Sequence, residues 1–167
     1  MIVYEEVELK LPRSAHPRRR ELARFLRHAI DATGLAGDVS VLLTGDEAIR
    51  ALNRKYRRKD QPTDVLSFPA LDSAAVAGDL AISLETAFRQ AQEHGHTLEM
   101  EIKVLLLHGL LHLAGFDHEV DGGRMHRKET RLRRELGLTT ALIERTQGKR
   151  PQGRRAQGRS SREAVRA

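Results

Sequence analysis

The run His108-Gly109-Leu110-Leu111-His112-Leu113-Ala114-Gly115-Phe116-Asp117-His118 places three histidines at spacings that suit one metal ion. The apolar stretch Val104-Leu105-Leu106-Leu107 leads into it, so a helix is the expected carrier. Residues four apart share a helix face, with Cβ atoms about 5–6 Å apart. His108 and His112 can therefore converge on an ion at about 2.0–2.1 Å from each nitrogen. Gly115 reads as the residue just past the helix, where a left-handed turn reverses the chain. That reversal returns His118 as a third ligand. Three protein ligands leave one coordination position open, the arrangement of catalytic rather than structural zinc. Asp117 either orients a ligand imidazole from behind as a hydrogen-bonded carboxylate or caps the turn.

The same spacing shows which chemistry is missing. The zinc-protease pattern H-E-x-x-H carries a glutamate base directly after its first histidine. Here that position is Gly109, which has no side chain. Three neutral imidazoles also leave the charge of a divalent ion uncompensated. Such a site favours an anionic substrate, such as a phosphodiester, over a neutral peptide.

The elements that must hold these residues follow an α+β pattern. Ile2 to Leu11 alternates around Val3, Val7 and Leu9, as a half-buried strand does. Pro17 opens a helix that keeps Leu22, Phe25, Leu26, Ala29 and Ile30 on one side until Gly34. Val39 to Thr44 reads as a buried strand and Asp46 to about Tyr56 as a second helix. Val65 to Leu71 and Asp79 to Ser83 read as two further strands, with Pro69 marking an edge or an end. Leu84 to about His94 is a third helix. Thr97 is the expected N-cap of the histidine-bearing helix, which is apolar nearly all round and so belongs in the core. A charged last helix runs from about Gly123 to Leu136, with Met125, Leu132 and Leu136 as its narrow apolar side. His94 and His96, flanking Gly95, read as a surface loop; His16, His28 and His126 have no ligand spacing.

The histidine run resembles the signature of the YbeY family, bacterial metal-dependent endoribonucleases. Two further blocks carry the same resemblance in the same order: Leu52-Asn53 and Tyr56-Arg57 leading into Asp60-Gln61-Pro62-Thr63-Asp64-Val65-Leu66-Ser67-Phe68-Pro69, and Gly78-Asp79-Leu80-Ala81-Ile82-Ser83. Phe116 stands where the family often has tyrosine. The resemblance implies a four-stranded mixed sheet with helices packed against it, a zincin-like metallohydrolase whose core helix bears the ligands. It implies His108, His112 and His118 as ligands of one Zn²⁺ and Arg57 as a catalytic residue. A planar guanidinium can grip a phosphate through two parallel hydrogen bonds. It further implies a single-strand-specific endoribonuclease acting in maturation of the 3′ end of small-subunit ribosomal RNA and in ribosome quality control. The partners it implies are ribosomal RNA, small-subunit ribosomal proteins and the Era GTPase. Two alternatives stand beside this reading: a metallopeptidase-like hydrolase using another base, and a non-enzymatic ribosome-assembly factor with a structural metal.

Composition bounds these readings. The chain has 167 residues, one domain's worth. It contains no cysteine, so no disulfide and no thiolate zinc site. Its first residues lack the basic start and apolar run of a signal peptide, and no apolar run approaches the ~18 residues of a membrane span; a cytoplasmic protein without membrane contact is expected. The net charge is +6. Residues 147–167 hold seven Lys or Arg and one acid, so they carry all of it, and residues 1–146 balance to zero. The expected organisation is a single catalytic domain over 1–146 and a basic, disordered tail over 147–167, too poor in apolar residues to fold. The tail either adds sequence-independent affinity for RNA phosphates or is a solubilising extension. With no Trp in the chain, base stacking is not expected to supply specificity.

Overall fold

Alternation along the strands sets the layering. In a computed structural model, which describes residues 1–4, 11–12, 16–70, 75–118 and 120–138, four strands form one sheet: β1 (Ile2–Tyr4), β2 (Asp38–Thr44), β3 (Val65–Pro69) and β4 (Val76–Ser83). Their order is β1-β2-β4-β3. β1, β2 and β4 run parallel, and β3 pairs antiparallel with β4 at the edge. Val39, Val41 and Leu43 of β2 and Leu80 and Ile82 of β4 enter the main core. The residues between them, Leu42 and Ala81, face the other side, in a smaller cluster with Ile49 and Leu66. The period of two thus serves two cores at once.

Among the described residues five helices accompany the sheet: α1 (Arg19–Thr33), α2 (Asp46–Arg57), α3 (Leu84–His94), α4 (Leu98–Leu113) and α5 (Arg124–Glu135). α2 supplies the smaller cluster; α1 and α4 bury their apolar residues in the main one. The expected mixed four-stranded α+β fold is the one observed. The first strand is described only as far as Tyr4, and the remainder of the expected strand, residues 5–10, lies outside the described residues, as does the whole of the expected tail. β4 starts three residues earlier than expected, at Val76, because its irregular start still pairs with Asp38 and Val39 of β2.

α4 is the organising element. Thr97 caps it, its side chain accepting from the Met100 N–H. Glu99, in the first turn where the helix dipole favours an acid, also ties α4 to Arg18 and pairs with Lys103 one turn along the same helix. Ile102, Leu106, Leu107, Leu110 and Leu111 are fully buried, each worth roughly 1.5–3 kcal/mol of apolar burial. The helix ends in a Schellman turn. Gly115, at φ 85°, gives its N–H to the His112 carbonyl, and the Phe116 N–H reaches back to Leu111. No helix among the described residues is long and apolar enough to cross a membrane.

Gly109 marks where α4 meets the sheet. A Cβ there would lie 2.8 Å from Leu80 Cδ2 and 3.4 Å from Ser67 Oγ, and Leu80 is itself fully buried. Gly109→Ala gains about 1 kcal/mol of helix propensity but incurs about 1–3 kcal/mol of overpacking, so a net loss of up to about 2 kcal/mol is expected. Gly109→Glu should cost more, above about 3 kcal/mol, because it also presses a carboxylate against an apolar wall. Denaturant midpoints of the full chain check both; a raised midpoint for the alanine variant would show that the contact is not tight.

Candidate metal centre and RNA cleft

α4 carries His108 and His112 on its last two turns, and the Schellman turn returns His118 beside them. Ring centroids lie 4.8 Å apart for His108 and His112, 5.3 Å for His112 and His118, and 5.7 Å for His108 and His118. One ligand nitrogen from each falls within 4.8 Å of the others. His108 Nε2 and His112 Nε2 face each other at 3.2 Å. The donor set fits a divalent transition metal: three imidazole nitrogens converging from one rigid helix and one turn.

What lies behind the imidazoles sharpens the fit. His108 Nδ1 donates to Glu129 Oε2 at 3.2 Å, which turns its Nε2 toward the other two histidines as the nitrogen that could hold an ion. Metal-binding histidines commonly show this carboxylate behind the ring. Arg133 holds the other carboxylate oxygen of Glu129. Burial pushes the Glu129 carboxyl up, but the bonds from His108 and Arg133 and their charges outweigh it and hold the group below its ordinary value. Burial pushes the His112 imidazole down, and the charges of His108 and His118 push it the same way; a hydrogen bond with the Phe116 backbone and the charge of Asp117 oppose them. The net direction favours the neutral imidazole, the form that binds metal.

Arg57 shares a cleft of about 540 Å³ with all three histidines; Lys59, Thr63, Asp64 and Asp117 also line it. Sequence separation of fifty residues or more is closed by a braced turn after α2. Arg58 adopts the left-handed region at φ 58° and ends the helix. The buried Asn53 side chain donates to the Gln61 carbonyl at 2.7 Å, and Arg50 grips Asp60 with two bonds of 2.8 and 2.9 Å. The turn therefore presents Arg57 and Lys59 at the cleft. Asp64 serves the turn, accepting from the Val65 N–H at 2.8 Å, and its other oxygen accepts from Gln90. Asp117 lines the cleft, and its backbone carbonyl accepts from Asp121.

Two features escaped the sequence reading. Glu129 is one: it sits four residues after Met125 and three before Leu132, on the buried side of a charged helix, and a carboxylate on an inward stripe is the signal that marks it. The other is a second histidine group, and it corrects the surface-loop reading at His96, while His94 is exposed at the end of α3. The His96 side chain is only 7% exposed, and with His94 it bonds the buried Glu101. Donor atoms of these three also lie within 4.8 Å of one another. Glu101, in the first turn of α4, reads in sequence as an ordinary acid at a helix start.

Fold and cleft define a class: α+β proteins whose core helix and following turn gather three histidines able to hold a metal, under a lip of cationic side chains. Comparison with known proteins narrows it. The family model described as endoribonuclease YbeY matches residues 4–137. Endoribonuclease YbeY of Solibacter usitatus is 52% identical over 130 residues, covering 78% of this chain and 87% of that protein. That of Koribacter versatilis is 51% identical over 127 residues, covering 76% and 83%. The solution structure of TM1509 from Thermotoga maritima superposes with a TM-score of 0.54 at 26% identity, covering 93% of this chain and all of that one. The chain belongs to the YbeY family of endoribonucleases, hydrolases that cut RNA internally.

The Glu129 contact generates a prediction. Glu129→Ala should weaken metal binding by about 10–100-fold with the fold retained, read by competition against a chromophoric chelator. Glu135→Ala, an exposed partner of Arg131 on the same helix, should leave affinity unchanged. Equal affinities for the two variants would remove Glu129 from the site.

Proposed function

We propose that the chain is a Zn²⁺-dependent, single-strand-specific endoribonuclease that acts on ribosomal RNA, in maturation of the 3′ end of the small-subunit RNA and in ribosome quality control. The observation that carries this reading is the common cleft of Arg57 and the three histidines. His108, His112 and His118 are the ligands. Held there, an ion would supply Lewis acidity for a phosphate oxygen or for an attacking water. Arg57 orients the scissile phosphate and stabilises the charge that develops on it. Lys59, at the same lip, adds attraction for the backbone. Glu129 holds the His108 ring in its ligand tautomer, and Asp117 acts on His112 through its charge.

The peptidase alternative loses support at Gly109. A side chain at that position would meet Leu80 and Ser67 in the sheet, so the helix has no room there for the protease glutamate. The proposed organisation is one catalytic domain over residues 1–146 with a basic extension over 147–167, working in the cytoplasm. The proposed partners are small-subunit ribosomal proteins and the Era GTPase.

Cleavage of a ribosomal RNA fragment by wild type and His112→Ala, purified in parallel and assayed with and without chelator, tests the nuclease. Loss of cleavage in the folded variant and in chelated wild type is expected. Arg57→Ala should lower kcat by about 10²–10³-fold with metal content unchanged. Equal cleavage by wild type and His112→Ala would place the activity elsewhere. A folded, metal-loaded wild type that cleaves nothing would favour the assembly factor.

A further inference from the structure

Two histidines and a carboxylate converge outside the cleft. His94 Nδ1 and His96 Nε2 both meet a single oxygen of Glu101, Oε2. Their ring centroids stand 5.4 Å apart, inside the 4.8–5.7 Å range spanned by the three histidines of the cleft. One donor atom from each of the three residues falls within 4.8 Å of the others, as in the cleft. The Glu101 and His96 side chains are buried, and His94 stands open to solvent beside them.

The chain positions this group with the device it uses at the cleft: a helix end, a left-handed glycine and a returning histidine. His94 is the last residue of α3. Gly95 follows at φ 69°, its N–H on the Gln92 carbonyl, and the His96 N–H returns to Ala91. Thr97 then caps α4, and the Glu101 N–H bonds the Thr97 carbonyl at 3.0 Å in the first turn. Two helix ends joined by a short turn thus hold all three donors on ordered backbone, the support a metal ligand set requires.

Charge decides what such a group attracts. The three residues line a cavity of about 640 Å³, whose walls also carry Asp64 and Glu93 against Arg133. Arg133 is already held by Glu129. Carboxylates therefore outnumber cations on these walls, a balance that draws in a cation and repels a phosphate. Glu101 adds its own demand: a buried carboxylate is costly unless its charge is compensated, and two neutral imidazoles bring it hydrogen bonds without charge.

We propose that His94, His96 and Glu101 bind a second divalent transition-metal ion, of the zinc class, apart from the three histidines of the cleft. Two imidazoles and a carboxylate form a ligand set that zinc sites use, with a fourth position left for water. An ion there ties the end of α3 to the first turn of α4. His108 and Asp64 line both this cavity and the cleft, so the same ion adds positive charge on the flank of the RNA-cleaving site. The assignment does not depend on the nuclease reading.

Titration of the full chain with Zn²⁺ against a chromophoric chelator counts the ions. Wild type should take up two per chain and His112→Ala one. His94→Ala, at an exposed position, and Glu101→Gln, which keeps the shape of the carboxylate, should each lose the second ion and keep the cleft ion. Because ligands are removed, the Kd of the second ion should rise by more than the about 10–100-fold that loss of an outer partner costs. In His112→Ala, added Zn²⁺ should raise the melting temperature, since a ligand that binds only the folded state stabilises it; His94→Ala on that background should abolish the rise. One ion in wild type and none in His112→Ala would reduce the group to a hydrogen-bonded cluster and overturn the proposal. A second ion that survives both His94→Ala and Glu101→Gln would place it elsewhere and overturn the proposal equally.

Discussion

The rotation of α4 about its own axis is the constraint on which the rest of the structure depends. A helix buried on nearly every side has no solvent face to set its orientation, so orientation must come from shape. The contact of Gly109 with Leu80 provides that shape. Only a residue without a side chain lets the helix backbone approach β4 at that point. With position 109 turned into the sheet, successive residues around the helix are assigned by its 3.6-residue turn. His108 and His112 then face the cleft, while Leu106, Leu107 and Leu110 go to the core. The packing glycine and the histidine pair on the helix are therefore one arrangement seen from two sides.

A second layer of order runs from α4 to α5. His108, Glu129 and Arg133 form a chain of charge-assisted contacts. Glu129 is mostly buried, and a buried carboxylate needs such partners to remain charged. α5 is strongly charged but anchors through Met125 and Leu132, both fully buried. Its N-terminus is pinned by Asp121, whose two oxygens accept from the Gly123 and Met125 N–H groups. This helix is the means by which a carboxylate distant in sequence arrives behind the His108 ring.

Sequence patterns exposed the local parts of this arrangement and missed the long-range ones. The histidine spacing, the Thr97 cap and the Gly115 turn are all consequences of helix geometry over a few residues. They can be read without knowing what packs where. The bounds of α3 were legible for the same reason, whereas β3, expected to run to Leu71, ends at Pro69, the residue that marked an edge or an end. Strand order was not, since β2 and β4 pair across intervening α2 and β3, and only the family resemblance pointed to a mixed sheet. Glu129 and the His96–Glu101 pair were obscured because their partners lie on other elements or across a helix boundary. The position of Arg57 near the histidines came from the resemblance alone; nothing local to Tyr56-Arg57 says which surface it will face.

His118 differs from its two companions in one respect. His108 and His112 ride on a helix locked in the core, whereas His118 is exposed, on the segment that follows the left-handed turn at Gly115. Local opening of a surface segment costs far less free energy than unfolding a core helix. An ion held by all three would leave by the cheaper route, with His118 swinging away while the helical pair stays in place. Exchange of the metal would then be a matter of loop breathing, its rate set by a few turn hydrogen bonds and decoupled from the stability of the fold.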